Sequence, residues 1–353
     1  MSNPFKHIQG EVSWKAPSNI ALIKYWGKHG NQLPRNASFS FTLDTAYTET
    51  TIHYTAKQND DKAIAIKFLF EGKEHPKFTE KIEQFLKSIV PFFPFLPHLS
   101  LTIHSHNSFP HSTGIASSAS SMAALALCLT SIENELDGGL SPALFFEKAS
   151  KIARLGSGSA CRSVYPYSAV WGKQEVIPFS SDEYAVPYHE SIHPIFKTFK
   201  DAILIVSSDE KSVSSRAGHA LMDGNPYATS RYTQAATNFT NLISAMKAGD
   251  LATFGKIVEN EALTLHALMM CSTPSYMLML PNTLKIIDLI KTYRAEKDVP
   301  LYYTLDAGPN VHLLYPEAYT TEVEQFILDT LMKYCENGKV IYDKVGKGPV
   351  KLK

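Results

Sequence analysis

Cysteine is scarce in this chain, and the four present, Cys128, Cys161, Cys271 and Cys335, lie far apart. No two have the short spacing of a zinc site and no set outlines a disulfide framework, so reduced thiols in a cytoplasm are the expectation. Net charge is missing too, since 34 Lys and Arg balance 34 Asp and Glu. A general attraction to nucleic acid or to a membrane surface is therefore not expected, and any polyanion must be held by local clusters. The apolar stretch from Ile89 to Leu96 is short and broken by Pro91 and Pro94, which excludes it as a membrane span. The opening MSNPFKHIQGEV lacks the apolar centre of a signal peptide. No internal repeat, low-complexity stretch or GxxxxGK[ST] loop is present. The thirteen histidines are dispersed. His104 and His106 can share a strand face, but without a third ligand a half-exposed strand explains them better than a metal site.

What is there describes a folded protein. The chain has 353 residues, 44% hydrophobic and 19% charged, enough for two domains or one large one. EVSWKAPSNIALIKY, SFSFTLDTAYTETTIHYTA, AIAIKFLFEG and HLSLTIHSH alternate and are rich in β-branched and aromatic residues, so they are predicted strands. SAVWG, QEVIPF and DAILIVSS read the same way, and LYYTLDAGPNVHLLY reads as strand, turn and strand. Helices are predicted over 77–89, from near Ser117, and over 142–155, 226–247, 251–269, 283–297 and 321–335. The polar, Pro-containing passage 180–194 is the expected boundary between two α+β halves, 1–195 and 196–353.

Five short stretches could carry chemistry. NIALIKYWGK places Lys24, Tyr25, Trp26 and Lys28 at the end of a strand. They are solvated surface lysines or the cationic end of an anion site. In FPHSTGIASSAS, Gly114, Ser117 and Ser118 put a tight turn and hydroxyls at a helix start, which suits phosphate but equally caps a core helix. GSGSACRS offers Ser157, Ser159 and Arg162, either as a ligand-gripping turn or as a flexible connection with a surface arginine. KSVSSRAGH repeats the chemistry with Ser214, Ser215 and Arg216, and alone reads as a cap of the helix that follows. Asp306, in TLDAGPN, is a turn former or a general base at a strand end.

Taken together and in this order, NIALIKYWGK, FPHSTGIASSAS, GSGSACRS, VSSRAGH and DAGPNVHLL resemble the motifs of the diphosphomevalonate decarboxylase family, in the GHMP kinase superfamily. They span residues 16 to about 315. The resemblance implies a GHMP-kinase-like fold, with an N-terminal domain of ribosomal-protein-S5 type, a C-terminal ferredoxin-like domain and the site between them. It implies ATP-dependent decarboxylation of mevalonate 5-diphosphate to isopentenyl diphosphate, with Mg²⁺, in a cytoplasmic homodimer. The alternative is a related kinase or decarboxylase acting on mevalonate or its monophosphate. By the same resemblance Asp306 is catalytic, with Arg162 and Lys24. Asn19, Tyr25, Lys28, Ser157, Ser159, Arg162, Ser215 and Arg216 bind substrate, and Gly114, Ser117 and Ser118 bind ATP. No protein side chain is assigned to a metal. Relatives that only phosphorylate mevalonate lack the counterpart of Asp306, so its presence argues against that branch. Two places depart from the family pattern: the family often has Pro-Thr-Ala-Ala-Gly where this chain has Pro110-His111-Ser112-Thr113-Gly114, and an arginine where His29 stands. Asp306→Asn is expected to keep the turn and to melt close to wild type.

Overall fold

The computed structural model describes residues 8–57, 63–109, 117–209 and 212–353. The first half is built on long strands because its alternating β-branched and aromatic residues fit a half-buried pleat. In chain order these are β1 (Gln9–Ile23), β2 (Lys28–His29), β3 (Leu33–Pro34), β4 (Ser38–Ala56), β5 (Ala65–Phe70), β6 (Lys73–Glu74) and β7 (Leu99–Asn107). β8 (Ser168–Trp171) and β9 (Ala185–Pro187) follow three helices, α1 (Pro76–Ile89), α2 (Ser117–Asp137) and α3 (Pro142–Gly156). The second half runs β10 (Lys200–Leu204), α4 (Ser215–Ala220), α5 (Ala228–Ala248), α6 (Leu251–Met270), α7 (Pro281–Lys297), β11 (Tyr302–Leu305) and β12 (Val311–Tyr315). It ends with α8 (Thr320–Phe326), β13 (Val340–Lys344) and β14 (Val350–Lys351).

The first sheet has the order β14-β1-β4-β7-β5-β6, with β8 on β4 and β9 on β8. β1 and β4 pair antiparallel from Gln9↔Thr55 to Ile23↔Phe39, with irregularities between Pro17 and Asn19 and between Ala21 and Ile23. Such breaks bend a strand and re-aim its side chains, here at the end that reaches the site. α2 lies across this sheet and is buried nearly all round from Ala123 to Ile132. Its alanines allow close approach to the sheet, as expected of a helix with no solvent face along most of its length. The second sheet, β11-β12-β10-β13, is antiparallel throughout.

The two sheets share one apolar cluster, in which Ile20, Phe39 and Phe41 meet Phe199, Ile203 and Phe254. Asp343 of β13 accepts backbone N–H groups from Asp44, Thr45 and Ala46 of β4 at 2.7–2.9 Å. β14 then returns the C-terminus to β1 through Trp14↔Lys351. The expected boundary near 195 falls between β9, on the first sheet, and β10, on the second.

Two predicted elements differ. Residues 174–179 (QEVIPF) form turns rather than a strand, because Pro178 and the left-handed Phe179 (φ 65°) interrupt extension. The predicted helix over 321–335 is regular only to Phe326 and then passes through a π turn (Ile327–Leu331) and a 3₁₀ turn (Met332–Tyr334). Among the described residues, no helix is long and apolar enough to cross a membrane.

Candidate active site

Lys24 sits one residue past the end of β1 and is almost wholly buried, 2% exposed. Its ammonium meets Asp306, the residue after β11, with Nζ to Oδ1 at 3.0 Å. Burial lowers the Lys24 pKa, and Asp306 partly opposes that shift. Asp306 is also a turn former, since its carbonyl accepts the Gly308 N–H at 2.8 Å. Its side chain keeps 29% exposure, toward a cleft of about 740 Å³. Turn formation therefore leaves the carboxylate facing the cleft.

Arg162 lines the same cleft, in the 3₁₀ segment Gly158–Val164 that GSGSACRS forms. The guanidinium is 1% exposed and donates to Ser40 Oγ (3.0 Å), to Ser38 Oγ and to Asn19 Oδ1 (3.2 Å). Asn19 is fixed in turn, its amide donating to the Ser159 carbonyl (3.1 Å) and to Ser163 Oγ (2.8 Å). Gly158 is required here, because a Cβ would stand 2.6 Å from Tyr25 Oη and 2.9 Å from the Trp171 ring. Tyr25 packs edge-on to Trp171 at 4.7 Å, and burial raises its pKa.

The other buried arginines have acid partners: Arg154 has Glu183 and Arg231 has Glu261. Arg162 has none among the described residues, nor do Lys28 and Arg216 on the same cleft. Lys28 Nζ donates only to a neutral group, Gln32 Oε1, at 2.6 Å. Burial, with Arg216 nearby, brings its pKa down to about 8. With the exposed Lys81, which also lines the cleft, four cations have no acid partner among the described residues, a charge pattern suited to an anion.

The cleft gathers Asn19, Lys24, Tyr25, Lys28, Ser118, Ser157, Ser159, Arg162, Ser215, Arg216 and Asp306. Ser118 Oγ lies 3.2 Å from Ser157 Oγ, joining the start of α2 to the end of α3. Ser117 lines an adjoining apolar pocket of about 250 Å³, with Phe68, Phe70, Phe78, Met122 and Leu125. Gly114 lies outside the described residues. Ser214, not Ser215, caps α4, its Oγ accepting the Ala217 N–H at 3.2 Å, so Ser215 and Arg216 remain available to the cleft.

Sequence reasoning missed four residues. His219 is 6% exposed in the cleft wall, stacked on Tyr25 and Trp26, and its Nδ1 accepts the Gly27 N–H at 3.0 Å. That contact places the ring proton on Nε2, and burial holds the imidazole neutral, well below the usual histidine pKa. It closes the quoted VSSRAGH stretch, which was the available signal. Arg231, Glu261 and His266 grip the backbones of Lys24 and Asp306, and nothing in their local sequence announces it.

Among the described residues no group of three or more His, Cys, Asp or Glu could hold a metal ion. The oxygen donors at hand, Ser118 and Asp306, fit Mg²⁺ that arrives on nucleotide phosphates and keeps most of its ligands there.

A two-layer α+β chain with a hydroxyl-rich helix start, a cationic cleft and one ion-paired carboxylate is a phosphoryl-transfer fold of GHMP-kinase type. Residues 16–192 match the diphosphomevalonate decarboxylase-like N-terminal domain, and residues 202–352 match the mevalonate 5-diphosphate decarboxylase C-terminal domain. The chain belongs to the diphosphomevalonate decarboxylase family. It is 30% identical over 327 residues to the diphosphomevalonate decarboxylase of Candida albicans, covering 88% of this chain and 86% of that one. The mevalonate diphosphate decarboxylase structure from Staphylococcus aureus superposes with a TM-score of 0.83 at 29% identity, over 98% of this chain and 99% of that one. The enzyme from Enterococcus faecalis gives 0.81 at 28% identity, over 98% and 100%. A structure described as MDDEF in complex with MVAPP, AMPPCP and magnesium gives 0.82 at 29%, over 98% and 100%.

Proposed function

We propose that this protein converts mevalonate 5-diphosphate and ATP to isopentenyl diphosphate, CO₂, ADP and phosphate. One observation supports the residue roles most strongly. Arg162, Lys28 and Arg216 face one cleft without acid partners among the described residues, beside the Lys24–Asp306 pair. A diphosphate ester that also carries a carboxylate supplies the counter-charges such a cleft requires.

In this reading Lys28, Arg216, Ser215 and Tyr25 hold the diphosphate. Arg162 takes the carboxylate with its guanidinium already oriented by Asn19, Ser38 and Ser40, while Ser157 and Ser159 bind alongside. Gly114, Ser117 and Ser118 serve the nucleotide phosphates, and the apolar pocket beside them accepts the base. Mg²⁺ carried on those phosphates neutralises their charge.

Decarboxylation needs somewhere for the C1–C2 bond electrons to go, and the substrate has no carbonyl placed to take them. The tertiary hydroxyl is therefore made a leaving group. Asp306 orients the hydroxyl and accepts its proton as the oxygen forms its bond to the γ-phosphorus of ATP. The C3–O bond then breaks with loss of phosphate, leaving C3 electron-deficient. The C1–C2 pair becomes the C2=C3 double bond as CO₂ departs. The phosphate takes that proton with it as it leaves, so Asp306 is again a carboxylate and its charge stabilises the positive charge at C3, while Arg162 keeps the carboxylate aligned with the departing phosphate.

The two halves, 1–195 and 196–353, contribute opposite walls. The protein is placed in the cytoplasm, supported by its four free thiols, and as a homodimer by family resemblance, which sedimentation would test. CO₂ and ADP released with mevalonate 5-diphosphate, its monophosphate and mevalonate in parallel test the reaction. CO₂ from the diphosphate is expected; ADP without CO₂ would make the protein a kinase, and preference for the monophosphate would reassign the substrate.

A further inference from the structure

Lys24 and Asp306 stand 282 residues apart in sequence, yet one helix fastens both of their backbones. β1 ends at Ile23, so the Lys24 peptide has lost its sheet partner. In its place Glu261 Oε2, on α6, accepts the Lys24 N–H at 2.9 Å. Arg231 Nη2, on α5, donates to the Lys24 carbonyl at 2.8 Å. The two side chains are bound to each other at 2.7 and 2.6 Å, and Asn238 donates to Glu261 Oε1 at 2.8 Å. Together they offer Lys24 one acceptor and one donor, as a neighbouring strand would, and Asn36 Nδ2 adds a second donor to the same carbonyl at 2.9 Å.

Five residues further along α6, His266 Nε2 donates to the Asp306 carbonyl at 3.0 Å. Glu261 and His266 are 0% and 1% exposed. Five residues of helix separate the two attachment points by about 7.5 Å along the axis. α6 is therefore a rigid spacer between the main chain that carries the ammonium and the main chain that carries the carboxylate.

A buried Arg–Glu pair is a poor device for stability, since apolar replacements of similar volume are often neutral or stabilising. Its presence here calls for a geometric reason. We infer that Glu261, with Arg231, and His266 are positioning residues that set the Lys24–Asp306 geometry for the chemical step. This rests on the role of Asp306 given above. A misplacement of about 1 Å in a reacting constellation costs on the order of 10²-fold in rate.

The test measures kcat, both KM values and melting temperature for wild type, His266→Leu, His266→Gln and the paired Glu261→Met/Arg231→Met variant. Loss of the His266 N–H in the leucine variant is expected to lower kcat about 30- to 100-fold, with both KM values within about twofold of wild type. Glutamine, which keeps an N–H donor, should restore most of the rate. The paired methionine variant strands the Lys24 N–H and is expected to melt below wild type, but the protein that remains folded should turn over slowly with both KM values near wild type, a split that a purely structural role does not produce. In an Asp306→Asn background His266→Leu should add little further loss, because it acts through Asp306. A folded His266→Leu enzyme at wild-type kcat, a paired variant at wild-type kcat, or full additivity with Asp306→Asn would each overturn the positioning role alone. Wild-type protein that releases no CO₂ from mevalonate 5-diphosphate would overturn the reaction itself and the positioning role with it.

Discussion

Asp306→Asn removes one charge and no volume, and the structure assigns it two separable consequences. The first is kinetic. Losing the proton acceptor for the tertiary hydroxyl is worth roughly 10²–10⁴-fold in turnover, and losing the charge that faces a cationic C3 adds to it. The second is thermodynamic. With N to O at 3.0 Å, the Lys24 pairing amounts to about 5 kcal/mol of Coulomb energy at an effective dielectric near 20, before desolvation is counted. Breaking a buried pair typically costs about 3–5 kcal/mol, because the remaining charge is stranded. Lys24 is 2% exposed but Asp306 is 29% exposed, so water entering from the cleft relieves part of this, and about 2–3 kcal/mol is expected at neutral pH. This revises the expectation from the sequence that the variant melts like wild type, which rested on turn chemistry alone.

The sign with pH follows from Lys24. Burial already lowers its folded pKa, and removing Asp306, which raises it, lowers it further. The unfolded lysine keeps its charge up to about pH 10.4, so above the folded pKa the unfolded state binds more protons and stability rises with pH. The deficit of Asp306→Asn should therefore be largest near neutral pH and shrink as pH rises. Denaturation of wild type, Asp306→Asn and Lys24→Met/Asp306→Asn across that range, paired with CO₂ release, checks both consequences. The double variant should regain stability without regaining activity. An Asp306→Asn enzyme as stable as wild type at pH 7 and turning over at near its rate would refute the pairing argument and the catalytic one together.

Arg162→Met should cut CO₂ release about 10²–10³-fold while nucleotide affinity, read by a fluorescent ATP analogue, stays close to wild type. If nucleotide affinity collapses instead, Arg162 serves the wrong ligand in this account. Ser118→Ala should act from the other side, raising KM for ATP about tenfold with little change in melting temperature, since Ser118 is exposed at the start of α2. Lys28, with its pKa near 8, should make KM for the diphosphate substrate climb as pH passes 8, and Lys28→Arg should flatten that rise. His219→Phe leaves the buried Gly27 N–H without an acceptor and should cost about 1–3 kcal/mol of stability in denaturation.

Much of the fold was legible because the long strands alternate and the helices carry punctuation. SFSFTLDTAYTETTIHYTA became β4, Ser38–Ala56, residue for residue. Pro142 and Pro281 stand at the first positions of α3 and α7, where a missing N–H costs nothing. The strand expected at 174–179 failed because an alternating pattern carries no weight once Pro178 and a left-handed residue enter it. At the site, the stretches with hydroxyls, glycines and cations converge on one cleft, because anion recognition uses a small set of residue types at turns.

What stayed hidden is the set of contacts that decide how those residues behave. Lys24 and Lys28 look alike in NIALIKYWGK, and four residues apart they could share one helical face. In the fold Lys24 is sealed against Asp306, whereas Lys28 faces the cleft hydrogen-bonded to the neutral Gln32, with Arg216 nearby. The difference comes from which residues of the second half arrive at the end of β1. Asp306, Glu261 and Arg231 converge on Lys24, and none of them comes near Lys28 closely enough to pair with it. A lysine's role as ion-pair partner or anion receptor is thus fixed by contacts some 200 to 300 residues distant in sequence, and no local motif encodes those contacts. The same logic separates Arg162 from Arg231: both are buried, but α6 gives Arg231 the Glu261 carboxylate, whereas the Arg162 hydrogen bonds go to the neutral Asn19, Ser38 and Ser40.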